Sequence, residues 1–379
     1  MGIVNGTITF SRYQIIGTLP DNMREFVDAQ IKLFAFREAT AVEHEHSVGW
    51  TSLENILDTN FEYANYSFAE YLAFSLRVDK KVIPPSLLKL KLLQAEKKLL
   101  SERETKKIFK EERRELKETV RLMLVQSTPS TPSFYEVCWN VTDKELLFCS
   151  HSQKTGEEFE DLFKRTFNLS LIPILPWTRE RLPEDIAANL DRIVEDNFLK
   201  ISSGKSVDSS PRDLSFLGRE FLTWLWFKSE ERGGTILIPD KGDIGLHFTR
   251  RMVLESGEGQ YAERVACQGY YADLKEGITA LQKGKKIKEA RLKLSVDSNE
   301  FEVTLKADKF QFQSLKPPPT LKFGEEEEEK EGRILERVYL IETVIRTMEQ
   351  LFNLFLSHRT SPEWISSEIP RIQKWMGDS

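Results

Sequence analysis

Apolar and polar residues alternate over 3–16, where Ile3, Ile8, Phe10, Tyr13 and Ile15 mark a strand. Pro20-Asp21 then opens a helix whose apolar side holds Phe26, Val27, Ile31 and Phe34. Tyr71–Val78 reads as a second strand. After Pro84-Pro85 the period changes: Leu88, Leu92, Ala95 and Leu99 form one helical stripe, and Phe109, Leu116, Val120 and Met123 a second. The stretch 101–107 between them holds no apolar residue, so two helices folded as a hairpin fit better than one rod. Ser101 with Glu104 as a capping box, or Thr105, would start the second helix, and the Ser-Thr-Pro cluster at 127–133 would stop it.

A β-β-α-β unit follows. Its strands are Phe134–Trp139, Glu145–Ser150 and Leu169–Leu175, and its helix carries Phe159, Leu162, Phe163 and Phe167. A polar linker at 202–213 leads to Phe216–Phe227, a buried segment readable as helix or strand. Short strands are expected at Thr235–Pro239, Gly245–Thr249, Val253–Glu255, Glu263–Gln268, Ala290–Val296, Glu300–Leu305 and Phe310–Leu315, with a helix over Leu274–Lys283. Pro317–Pro319 and the acids at 325–329 form a break, and a last helix runs from Arg333 to Ser357. The pattern predicts an α+β protein with antiparallel or mixed sheets, packed helices and a helical hairpin arm. Its expected divisions are 1–79, the arm at 80–132, 133–178, a mainly antiparallel β domain at 179–320, and a C-terminal extension at 321–379.

Charge changes the picture. The chain has a formal net charge of −6. Residues 79–121 nevertheless hold 14 Lys/Arg against 8 Asp/Glu, among them Lys89, Lys97 and Lys98. A denser group comprises Lys283, Lys285, Lys286, Lys288, Arg291 and Lys293, with Arg250-Arg251 a third. Such sorting suits a polyanion or a solvated surface. No helix-turn-helix, zinc-finger or base-stacking signature is present, so any nucleic acid would be held by its backbone.

Catalytic chemistry is sparse. Ser202-Ser203-Gly204-Lys205-Ser206 ends like a phosphate-binding loop, but Leu199 stands where its first glycine belongs. His44-Glu45-His46 lacks the spacing that turns two imidazoles toward one zinc. Cys138, Cys149 and Cys267 form no paired motif, which suits a reducing cytoplasm. No secretory signal or membrane span is read, and neither enzyme activity nor a cofactor is expected.

Segment 76–177 resembles the RdgC family of bacterial recombination-associated DNA-binding proteins. The likeness lies in Ile83-Pro84, the lysine-rich arm, 112–118 (ERRELKE), Ser133-Phe134, Trp139, Leu146-Leu147, Ser150 and Leu171-Ile172-Pro173. Upstream it takes in Gly49-Trp50. Downstream it takes in Asp273-Leu274, Gly284-Lys285 and the strands ending at Leu315-Lys316, so that it spans roughly 3–320.

The resemblance implies a horseshoe-shaped monomer and a ring-shaped homodimer around double-stranded DNA. It also implies nucleoid association and limited access of RecA to DNA. Lys283, Lys285, Lys286, Lys288, Arg291, Lys293, Arg250, Arg251, Lys89, Lys97 and Lys98 are the expected DNA contacts. Leu116, Val120, Met123 and Phe134 are the expected dimer contacts. The rival reading is a protein-interaction scaffold that uses the arm as a helical docking site and has no DNA affinity.

Overall fold

The computed structural model describes residues 2–38, 45–53, 55–61, 66–102, 107–196, 198, 213–239, 241–256, 263–268, 275–319 and 327–378. The elements run β1 (Ile8–Ile16), α1 (Met23–Leu33), β2 (His46–Ser52), β3 (Ser67–Phe68), β4 (Tyr71–Lys80), α2 (Pro85–Glu102) and α3 (Lys110–Ser127). They continue with β5 (Thr131–Asn140), β6 (Glu145–Phe148), α4 (Gln153–Phe167), β7 (Ser170–Pro173), α5 (Glu184–Asn189), α6 (Phe216–Glu231) and β8 (Thr235–Ile238). The last are β9 (Gly242–Glu255), β10 (Arg264–Gln268), α7 (Lys275–Gln282), β11 (Lys286–Val296), β12 (Asn299–Lys306), β13 (Gln311–Lys316), α8 (Glu327–Thr360) and α9 (Ile369–Asp378). The architecture is α+β, with antiparallel strand pairing.

The chain forms two compact units, one of Met1–Gln14, Leu147–Ser152 and Ile172–Ser379, the other of Ile15–Leu146 and Gln153–Leu171. In the second unit β4 pairs with β2 on one side and β5 on the other, both antiparallel. Helix α4 covers this sheet with the residues that its sequence stripe marks. Phe159, Phe163 and Phe167 interlock with Trp50, Phe74 and Trp139 at ring separations of 4.9–6.3 Å. The Trp50 indole N–H donates to Thr166 Oγ1 at 2.9 Å, and that hydroxyl donates to Leu162 O at 2.7 Å. Both polar groups are thereby satisfied within an apolar cluster. Strand β2 carries no clear alternation and is absent from the sequence reading. It pairs with β4 along its whole length, and on its other edge Phe34–Phe36 runs against Trp50, exchanging Trp50 N–H to Phe34 O and Phe36 N–H to Trp50 O.

Helices α2 and α3 form the expected hairpin, with Arg113 Nε 2.6 Å from Glu96 Oε1 across it. The expected caps differ. Ser101 donates back to Lys98 O inside α2, and Thr105 lies outside the described residues. Helix α3 instead starts at Phe109, whose backbone N–H donates to Glu112 Oε2 at 3.1 Å. The stop also comes earlier than the full Ser-Thr-Pro cluster. Thr131 and Pro132 already pair with Lys80 and Asp79 in the sheet, because the long neighbour β4 extends the ladder to them.

The first unit is built on antiparallel strands in the order β10-β9-β11-β12-β13-β1, with β8 paired to the start of β9. Two strands expected on either side of residue 250 are one continuous β9, which pairs with β10 through Arg251 and Met252 and with β11 across a register irregularity at the same place. Helices α6 and α8 form the apolar layer. The open helix-or-strand choice at Phe216–Phe227 resolves as α6, buried almost all round. Phe221 and Phe352 pack on Phe310, with Phe355 and Trp224 beside them. Gly218 permits this approach, since a Cβ there would lie 2.1 Å from Ala307 O. Helix α8 begins within the expected acidic break, at Glu327, and α9 continues the fold into a tail that the sequence reading left without structure. Arg337 of α8 is buried and donates to the carbonyls of Gly2, Ile3 and Gly6.

Candidate nucleic-acid interface

On β11 every apolar residue is buried: Ile287, Ala290, Leu292, Leu294 and Val296. The period of two turns Lys286, Lys288, Arg291 and Lys293 away from that core. Register irregularities at 287–289 and 290–292 keep this alternation across an uneven spacing. Lys286, Lys288, Arg291 and Lys293 therefore lie along a strand, while Lys283 and Lys285 sit in the turn between α7 and β11.

Each of these cations meets a carboxylate. Lys293 Nζ is 2.8 Å from Glu300 Oε1, and Arg291 Nη2 is 2.7 Å from Glu302 Oε2. Lys286 pairs with Glu195, and Lys288 with Glu255 and, at 3.8 Å, Asp308. Arg251 and Arg264 both approach Glu289 at 3.7 Å. Lys285 is only 8% exposed and binds Glu263 at 2.6 Å. Hydrogen bonding from Lys288 holds the Glu255 carboxyl below its ordinary range, and Lys285 does the same to Glu263. Lys283 is exposed just before the Gly284 turn. Arg250 lies in β9, and its side chain is outside the described residues.

Lys89, Lys97 and Lys98 are exposed on α2 of the other unit, Lys98 being 4.0 Å from Glu102. Of the expected dimer contacts, Val120 is 6% exposed and Met123 61% exposed. Leu116 and Phe134 are half-buried, the latter 5.7 Å beneath the Arg77 guanidinium.

The partner carboxylates are what the sequence reading missed. Glu300 and Glu302 were within reach of it, because the turn at Asp297-Ser298 fixes a hairpin in which Lys293 stands opposite Glu302. Glu195 and Glu263 come from distant segments and leave no local signal.

The weaker motifs do not assemble. Glu45 pairs with Arg121 while His46 lies 3.6 Å from Glu158, so the two diverge, and His44 is outside the described residues. The phosphate-loop-like sequence at 202–206 also lies outside them. Among the described residues no group of three or more His, Cys, Asp or Glu could hold a metal. No described helix is long and apolar enough to cross a membrane.

Fold and site define an α+β protein with antiparallel sheets, a helical hairpin and a charge-laced open strand face. Residues 12–189 match the family model described as "RdgC: Putative exonuclease, RdgC", so this part of the chain is similar to that family. The match includes the hairpin and the β5-β6-α4-β7 unit, and it ends before β11. No curated protein matches the chain.

Proposed function

We propose that this protein binds the backbone of double-stranded DNA without sequence preference and does no chemistry on it. The observation that carries this reading is the row of Lys286, Lys288, Arg291 and Lys293 on one side of β11, with Arg251 on the adjoining strand. Such a row can neutralise successive phosphates while reading no base edge. The RdgC resemblance adds the ring-shaped homodimer, the nucleoid location and the limiting of RecA access as parts of the same proposal.

The test is a duplex titration at two salt concentrations, with sedimentation of the free chain. If about six phosphates are neutralised, log affinity falls with log salt at a slope of roughly −5. A slope near zero, or no binding at low salt, sinks the reading.

A second reading is favoured by the exposed Leu90, Leu93, Leu100 and Phe109 of the hairpin, which suit a protein partner. It predicts a purified chain without DNA affinity. The "exonuclease" of the family description is tested by incubating duplex and single strands with the protein and divalent metal. Shortened products would overturn the non-enzymatic reading.

A further inference from the structure

The β11 face is a lattice of alternating charge rather than a bare cationic strip. Two of its carboxylates, Glu300 and Glu302, stand on β12, the hairpin partner of β11, at positions fixed by register. Each holds one cation, Lys293 or Arg291, through a charge-assisted contact of 2.8 or 2.7 Å.

We propose that Glu300 and Glu302 are specificity-determining residues of this face: they occupy Lys293 and Arg291 in the free protein, and phosphates must displace them. The inference rests on the DNA reading above. A phosphate gains such a cation only by replacing an existing carboxylate contact, so the net gain at each position is a small difference between two similar interactions. A lone phosphate or mononucleotide exchanges one such contact and gains little. A duplex presents many phosphates on one frame, so the small differences add within a single binding event. The two glutamates therefore select polymeric duplex over small phosphate compounds, and they set the affinity low enough for the protein to release DNA. The consequence is that removing the charge of these two side chains strengthens DNA binding by more than the change in net charge alone.

The experiment uses the full chain and a fluorescent duplex of random sequence at low salt. The variants are Glu300→Gln with Glu302→Gln, the same pair combined with Arg291→Gln and Lys293→Gln, and Glu184→Gln as a control for net charge. Thermal melts confirm folding, and each single glutamine variant carries the test should the pair fail to fold. The glutamine pair is expected to bind about three- to tenfold more tightly, in line with release from partly exposed ion pairs. That gain disappears when Arg291 and Lys293 are also removed, and Glu184→Gln does not reproduce it. Unchanged or weaker binding by the glutamine pair, beside a wild type that binds, overturns the inference. So does a gain that persists without Arg291 and Lys293. Failure of the wild type itself to bind marks the DNA reading as wrong and takes the inference with it.

Discussion

Arg359 Nε donates to Glu220 Oε2 at 2.7 Å, deep in the first unit, where the Glu220 side chain is 1% exposed. The Asp196 amide donates to the other carboxylate oxygen at 2.6 Å, and Arg359 Nη2 reaches Val194 O. The Arg359 guanidinium also lies 5.1 Å from the Trp364 ring centre. Burial pushes the Glu220 carboxyl above its ordinary range, while Arg359 and the amide pull the other way. One pair thus ties α6, α8 and the segment before residue 198 together.

Breaking that pair from one side leaves a buried charge without compensation. Arg359→Met is expected to lower stability by about 3–5 kcal/mol. Adding Glu220→Leu should restore part of the loss, since the stranded carboxylate is then gone. Urea denaturation of the single and double variants measures both effects, and a double variant no better than Arg359→Met would contradict the account.

Backbone proximity makes a second prediction. A Cβ at Gly218 would sit 2.1 Å from Ala307 O, and one at Gly49 would sit 2.4 Å from Phe36 Cα. Neither neighbour is a flexible side chain that can turn aside. Gly218→Ala and Gly49→Ala should each destabilise by about 1–3 kcal/mol, in the range of overpacked cores. Equal denaturation midpoints for variant and wild type would refute the close approach.

His151 gives a pH dependence. Its Nε2 lies 2.8 Å from Phe10 O, so the neutral ring donates there, and Nδ1 is buried without a hydrogen-bond partner among the described residues. Burial holds its pKa below the ordinary value, opposed by the Phe10 carbonyl and reinforced by Lys306. The unfolded chain takes up the proton near pH ~6.5, and the folded chain only at lower pH. Between those values the unfolded state binds more protons, so stability falls as pH drops. His358, also held low by burial, acts in the same direction. His151→Gln should lose less stability than wild type between neutral and mildly acidic pH, as read from melting temperatures across that window.

Two lysine sets separate the candidate surfaces. Changing Lys286, Lys288 and Lys293 together to Gln should reduce the salt slope of duplex binding by about three, one for each lost phosphate contact. The equivalent triple change at Lys89, Lys97 and Lys98 should leave most of the slope intact. If the arm set abolishes binding and the strand set does not, DNA is held by the hairpin.

The local pattern alone determined much of this protein. Stripes at Leu88–Leu99 and Phe109–Met123 predicted the two helices of the hairpin, although Phe109 and Met123 are exposed and α3 buries Val120, Leu124 and Val125 instead. By the same helical period, Phe159, Phe163 and Phe167 marked the face of α4 that covers Trp50 and Trp139. Alternation likewise placed β11, β12 and β13. Tertiary structure decided the rest, since it depends on contacts between distant residues. Strand β2 forms because the distant β4 is brought beside it over its whole length, with Phe34–Phe36 against Trp50 on the other edge. The tail becomes α9 because it packs against α6 and α7, where Trp375 meets Trp226. The basic run was visible in the sequence, but its electrostatic character was not. Whether Lys285 or Lys286 meets solvent or a carboxylate depends on where Glu263 and Glu195 arrive, and only the folded chain brings them there.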